Sequence, residues 1–315
     1  MMKVIFFGTP PFAAHVLEYL LSHSIHVAAV VTKPDRPKGR SRVPLPTPVK
    51  LIAQQQIPPI PVYQPELVSD PEFADVLIPY QADLFVVVAY GEIIKQHLLD
   101  MPKLGCINLH ASLLPKYRGA APIQRCILEG ETETGVTIMH MVKKMDAGDI
   151  IKTVKIPIHP DSTYGELEQD LCDAGEKALL EVIHDFGRNR IEREPQNHSL
   201  ATFAPKIELE DCKIFWGRPA KEIHNLVRGV NPHPGAWCYV KIRQKPLRLK
   251  IHRTEYLIGY KGVPGEILSY GSEGLIIACG EEAVRLVEVQ LEGKKSLSAE
   301  ELMKGIPKAE FAIFT

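Results

Sequence analysis

Residues 3–32 read KVIFFGTPPFAAHVLEYLLSHSIHVAAVVT, and this stretch decides the fold class. Lys3–Phe7 is an apolar run stopped by Gly8, the pattern of a strand buried on both faces. Phe12, Val16, Leu17, Leu20 and Leu21 then recur at helical spacing, which predicts a helix from Phe12 to His23. Val27–Thr32 is a second β-branched run, and Leu84–Ala89 (LFVVVA), Cys106–Leu109 and Val136–Met139 read as further short strands. Strands alternating with helices give an α/β fold with a doubly wound, mainly parallel sheet. Ligands of such sheets lie at the carboxyl ends of the strands, which directs attention to the segments just after Ala89 and Leu109. The first turn, GTPPFA, lacks the GxGxxG spacing, so no nucleotide site is inferred there.

Residues 163–187 read as one long helix, with Thr163 and Glu166 at capping-box spacing and Gly187 as a stop. That helix is expected to close a first domain over 1–188. Residues 189–208 are polar, contain Pro195 and Pro205, and read as a linker. Beyond them a helical stretch, Pro219–Val227, leads into five short strand-like segments separated by Gly, Pro and Ser. These are Trp237–Arg243, Leu247–His252, Gly265–Ser269, Gly274–Ala278 and Arg285–Gln290, the pattern of a small OB-like β-barrel domain over 209–315.

Composition sets outer bounds. The 315 residues are 45% hydrophobic and 24% charged, values of a soluble globular protein. A formal net charge of −1 means that any nucleic-acid surface must come from clustered cations rather than overall charge. Six scattered cysteines without a CxxC pair read as reduced core thiols, and no metal site is expected. MMKVIFFGTP has too short an apolar run for a signal peptide, and no stretch reaches the roughly 20 apolar residues of a membrane span. A cytoplasmic location follows as the expectation.

Asn108 and His110 flank Leu109 at a strand end, so period 2 puts both polar side chains on one face. An amide donor and an imidazole suit an oxyanion that develops in a tetrahedral intermediate, and the imidazole can also move protons. A carboxylate is then wanted to orient the ring. Asp146, in KKMDAGD, lies in a glycine-containing loop after another strand, in place to do so. Taken alone, an Asn-x-His pair is a weak signal, since a strand-end His is more often an ordinary hydrogen-bonded residue, and Asp146 and Asp149 also suit plain loop capping.

The longer stretches are more specific. NLHASLLPKYRGAAPIQ (108–124), followed by GVTIMHM and MDAGD, resembles the signature of the 10-formyltetrahydrofolate-dependent formyltransferases. The resemblance implies a Rossmann-like formyltransferase domain with a catalytic trio at Asn108, His110 and Asp146. It implies that Ser112, Leu113, Leu114 and Pro115 border the folate, and that the backbone around Val88, Ala89, Tyr90 and Gly91 (VAYG) holds the pterin. The mechanism implied is attack of an acceptor amine on the formyl carbon attached to folate N10. Asn108 and a protonated His110 would stabilise the oxyanion, and Asp146 would orient His110.

Two regions separate the branches of that family. Residues 32–50, TKPDRPKGRSRVPLPTPVK, carry Lys33, Arg36, Lys38, Arg40, Arg42 and Lys50 against one acid, Asp35. The segment is similar to the inserted loop of the methionyl-tRNA formyltransferases, with Arg40 matching the family's key arginine. ATFAPKI (201–207), NLVRGVNPHPGAW (225–237) and GKK (293–295) resemble the same branch. Lys241, Arg243 and Lys245 alternate, as do Arg248, Lys250 and His252, opposite Leu247, Leu249 and Ile251. One basic face on a hairpin-like element is expected, suited to a phosphate backbone, with Lys206 a further candidate at the domain junction. The expected partners are therefore 10-formyltetrahydrofolate and initiator methionyl-tRNA, bound by a monomer that needs no membrane. Two positions depart from the pattern: Pro11, where an acidic residue is usual, and His233, where Trp is common. The competing readings are an amino-sugar formyltransferase, which needs no basic loop, a purine-pathway relative, which has one domain, and a folate- or tRNA-binding protein without turnover.

Overall fold

The computed structural model describes residues 2–37 and 43–314. It divides the chain into two compact units. One takes in the described residues of Met1–Pro122, Glu133–Pro157 and Glu168–Pro205, the other those of Ile123–Thr132, Ile158–Leu167 and Lys206–Thr315.

The first unit is built on a seven-stranded sheet. Its strands are β1 (Val4–Gly8), β2 (Val27–Val31), β3 (Val62–Tyr63), β4 (Leu84–Val88), β5 (Cys106–His110), β6 (Glu133–His140) and β7 (Ile150–Pro157), in the order β7-β6-β5-β4-β1-β2-β3. β1 to β5 run parallel, whereas β6 and β7 return antiparallel at one edge. Every residue of β1 and of β4 is buried, as expected of strands covered on both faces. Between β1 and β2 lies α1 (Pro11–Ser22), which places Phe12, Val16, Leu17 and Leu20 in the core. Pro11 opens this helix, where its missing N–H costs nothing. α2 (Tyr164–Gly187) is capped as its sequence requires: the Glu166 carboxylate accepts from the Thr163 N–H (2.8 Å), and the Glu166 N–H donates to the Thr163 hydroxyl (3.3 Å).

Residues 189–205 are irregular but packed onto the first unit. Glu194 bridges Ile150, Gln196 is buried, and Phe203–Ala204 pair in parallel with Arg118–Gly119.

The second unit carries a coiled, nearly closed antiparallel sheet. Its strands β8 (Ala236–Ile242), β9 (Lys245–Leu257), β10 (Ile267–Gly271), β11 (Gly274–Ala278), β12 (Ala283–Leu291) and β13 (Phe311–Ile313) follow the order β10-β11-β12-β9-β8-β13. With α3 (Ala220–Gly229) they enclose a core around Trp216, Trp237, Leu249 and Val289. β9 is longer than its sequence pattern indicates, because the register with β12 slips near Arg253 and blurs the alternation. β13, near the end of the chain, escapes sequence reading because three residues carry no resolvable period.

Gly135 in β6 has no room for a side chain. A Cβ there would stand 2.0 Å from the Val154 carbonyl of β7 and 2.6 Å from Leu113. At Gly187, by contrast, an added methyl meets nothing within 4 Å. Gly135→Ala is expected to lower unfolding stability by about 1–3 kcal/mol, with Gly187→Ala within about 0.5 kcal/mol of the parent. Chemical denaturation of both variants checks this.

Candidate active site

The ladder between β4 and β5 pairs Val87 with Asn108 and Val88 with Leu109, so the turn after β4 lies directly beside the end of β5. On β5, Asn108 and His110 share one face and Leu109 takes the other. Leu109 is covered by α2: a methyl group at Gly175 would sit 2.9 Å from its side chain. Asn108 is half-buried, and its amide has no hydrogen-bond partner among the described residues.

His110 is buried between two acceptors. Its Nε2 lies 2.9 Å from the Tyr117 carbonyl, which can only accept, so this nitrogen carries a proton. Its Nδ1 faces Asp146 Oδ2 at 3.7 Å, close enough for electrostatic attraction but beyond a direct hydrogen bond. Asp146 is in turn anchored by the Gly119 N–H at 2.8 Å. Both neighbours of the ring have left-handed backbone, φ 49° at Asp146 and φ 58° at Tyr117, a conformation that non-glycine residues hold only when their surroundings fix it.

The residues expected around the folate divide by what they expose. Ala89 and Gly91 are exposed with left-handed φ of 45° and 88°, whereas Val88 and Tyr90 turn inward. The turn therefore offers backbone rather than side chains. Its Tyr90 carbonyl already accepts from the Thr9 hydroxyl (3.0 Å). Burial, together with Glu92, pushes the Tyr90 phenol well above its ordinary pKa. In the second loop, Ser112 donates to the Lys116 carbonyl (2.7 Å), and Thr137 donates to the Ser112 carbonyl (2.7 Å) and accepts from the Leu114 N–H (3.2 Å). Ser112 and Leu114 are buried and shape the loop, while Leu113 and Pro115 are half-exposed.

Lys38, Arg40 and Arg42 lie outside the described residues. The base of their segment is fixed by a buried Thr32–Thr47 hydroxyl pair at 2.8 Å. Lys50 donates to Asp35 (2.6 Å), holding that carboxyl below the usual carboxylate range with help from Gln64. Arg36 pairs with Glu66 at 2.9 Å, and Lys33 pairs with Glu92. In the second unit Lys206 is exposed, 3.4 Å from Glu208.

One expectation about the basic hairpin needs correction. Arg243 and Gln244 form a two-residue turn with φ of 49° and 67°, and Ile242 pairs with Lys245 across it. The turn places Lys245 on the Val240 and Leu247 side, not beside Lys241, and Arg243 leaves the strand to pair with Glu310 at 2.6 Å. The face that does form holds Lys241, Arg248 and Lys250 with Trp237 and Tyr239, and the Arg248 guanidinium lies 4.3 Å over the Trp237 ring.

The sequence matches a protein-family model described as "Formyl transferase" over residues 2–183, and one described as "Formyl transferase, C-terminal domain" over residues 206–307. The chain belongs to the formyl transferase family. A protein of Protochlamydia amoebophila (strain UWE25) named methionyl-tRNA formyltransferase is 64% identical to it over 307 residues, covering 98% of this chain and 96% of its own. Another of that name from Chlamydia pneumoniae is 44% identical over 315 residues, covering 99% and 98%. Among solved structures, WlaRD, a sugar 3N-formyl transferase crystallised in the presence of dTdp and 5-N-Formyl-THF, superposes with a TM-score of 0.67 at 20% identity, over 94% of this chain and 99% of its own. That likeness is one of fold.

Sequence reasoning passes over Arg118, 1% exposed, and Gln196, buried beside it. Arg118 sits within the quoted YRGAAP run, but only its contacts give it a task. His140, on the opposite face of the sheet from His110, is also buried; burial first, and then Arg193, lower its pKa to about 4. Its ring is neutral in the fold while the unfolded chain takes up a proton near pH 6.5. The stability this contributes is full above about pH 6.5 and is lost as pH falls to about 4, at up to roughly 1.4 kcal/mol per pH unit. His140→Leu is expected to flatten that part of the stability–pH curve, measured by denaturant titration at each pH.

Proposed function

We propose that this chain transfers the formyl group of 10-formyltetrahydrofolate to the free amino group of methionine on initiator methionyl-tRNA, for initiation of translation. The observation that carries the reading is 64% identity, over nearly the full length of both chains, to a methionyl-tRNA formyltransferase. The catalytic residues are Asn108, His110 and Asp146. The acceptor amine attacks the formyl carbon, a carbon–nitrogen bond forms, and the formyl oxygen takes up the electron pair. The Asn108 amide, without a partner among the described residues, donates to that oxygen, as does Nδ1 of a protonated His110, which lies beyond hydrogen-bond reach of Asp146. The bond to N10 then breaks as a proton passes from the new ammonium to N10, through His110 or water. Asp146 keeps the ring in place for both steps. The exposed backbone at Ala89–Gly91 and the loop Ser112–Pro115 border the folate donor.

Phosphates of the tRNA meet Arg36, Lys38, Arg40 and Arg42 on the inserted segment, and Lys206, Lys241, Arg248 and Lys250 in the C-terminal part. Residues 1–188 are assigned to formyl transfer and 209–315 to tRNA, with 189–208 joining them. The enzyme works as a cytoplasmic monomer. No helix among the described residues is long and apolar enough to cross a membrane, and no step above calls for a metal.

His110→Ala is expected to cut kcat about 10²-fold or more, while calorimetry still detects folate binding; near-normal turnover would remove the assignment. Arg40→Ala is expected to raise KM for methionyl-tRNA and leave folate binding unchanged, as followed by mass-spectrometric detection of formylmethionyl-tRNA. Absence of any such product with the parent protein would shift the reading to an amino-sugar acceptor.

A further inference from the structure

We infer that the segment Gln196–Ala204 positions the catalytic groups, with Gln196 its central residue. Both groups that flank His110 are held from this segment. Gln196 Nε2 donates to two carbonyls of the Asp146 loop, Asp146 O at 3.0 Å and Gly148 O at 2.7 Å. These bonds hold Asp146 in its left-handed conformation. Gly148 packs so close to its neighbour that a Cβ there would lie 1.8 Å from the His140 carbonyl.

The orientation of the Gln196 amide is itself determined. Arg118 Nη2 approaches Gln196 Oε1 at 2.6 Å, and a guanidinium only donates, so the amide must turn its oxygen to Arg118 and its NH₂ to the loop. The same Nη2 lies 2.9 Å from His198 Nδ1. The other neighbour of His110, the Tyr117 carbonyl, is fixed six residues further on. Thr202 accepts from the Tyr117 N–H through its hydroxyl (2.9 Å) and from the Arg118 N–H through its carbonyl (2.9 Å). Ala204 accepts from the Ala121 N–H at 3.1 Å, and its carbonyl would be 2.7 Å from any Cβ at Gly119, the residue whose N–H anchors Asp146.

Gln196 is buried and bonded to backbone, so it acts through Asp146 and is a positioning residue. It lies in residues 184–205, between the ranges matched by the two family models. Its role rests on the reading that His110 and Asp146 carry out the chemistry, and the test separates the two.

Steady-state formylation by the full chain is measured for the parent, His110→Ala, Gln196→Glu and Gln196→Met, with calorimetric folate binding, thermal melting and the nitrogen-15 shifts of the His110 ring. Gln196→Glu keeps the acceptor for Arg118 but loses the amide donors, and Gln196→Met loses the bonds to Arg118, Asp146 and Gly148 at similar volume. For each folded variant the expected result is a fall in kcat of at least tenfold well below the melting transition. KM and folate affinity stay within twofold, and the His110 ring shifts move. A kcat within twofold of the parent in either folded variant overturns the inference, as does a fall in kcat matched by an equal loss of folate affinity. If only one variant folds, the same criteria apply to it. Should neither fold, Thr202→Val replaces them, with unchanged kcat and ring shifts overturning the inference. Retained turnover in His110→Ala removes the catalytic reading itself; an inactive His110→Ala beside fully active Gln196 variants removes only the positioning role.

Discussion

The parallel ladder that seats β5 against β4 is the constraint from which the site follows. Because the strands run the same way, their carboxyl ends share one edge, and the turn Ala89–Gly91 comes to lie beside Asn108 and His110. A slip of one residue would exchange Leu109 for the two polar side chains and turn them into the face that α2 covers. Burial of all of β4 and most of β5 prevents that slip, since each alternative register would put polar groups against the apolar layer. The sheet core thus fixes where Asn108 and His110 stand before any loop is considered.

What the ladder leaves open is where the two acceptors of His110 stand. Tyr117 and Asp146 belong to loops, and each holds a left-handed backbone, which Asp adopts more readily than Tyr. Their placement depends on hydrogen bonds to backbone atoms from residues 196–204. This explains the uneven legibility of the sequence. The strands and α2 can be read because burial imposes periods of 2 and 3.6 and a capping box has a fixed spacing. Asn108 and His110 share a face by the same logic. Gln196 cannot be found that way: the groups it donates to are carbonyls, which every residue possesses, and its acceptor bond from Arg118 spans 78 residues of sequence, so its local context carries no mark of the task.

The basic hairpin shows a different limit. Counting alternate residues from Lys241 to Lys245 assumes an unbroken strand, and a two-residue turn at Arg243–Gln244 breaks the count. Neither turn residue is the Asn or Gly that would announce it. The face that does form combines cations with aromatic rings, Arg248 lying over Trp237 and Tyr239 alongside. Stacking removes part of the freedom of the Arg248 side chain, so less would be left to lose if it bound an anion.

The division of the chain into units has a bearing on biosynthesis. Leu128, partly buried, packs against the core of the second unit, and a methyl group at Gly229 of α3 would collide with Leu128 at 2.3 Å and Ile127 at 3.1 Å. The groove that α3 needs is therefore made by residues that leave the ribosome well before α3 does. Those early segments must wait, apolar surface uncovered, until Lys206 and its successors have been synthesised. A gene fragment beginning at the C-terminal barrel would lack its own docking surface for α3, so this chain is cut less cleanly at the genetic level than its two matched sequence ranges imply.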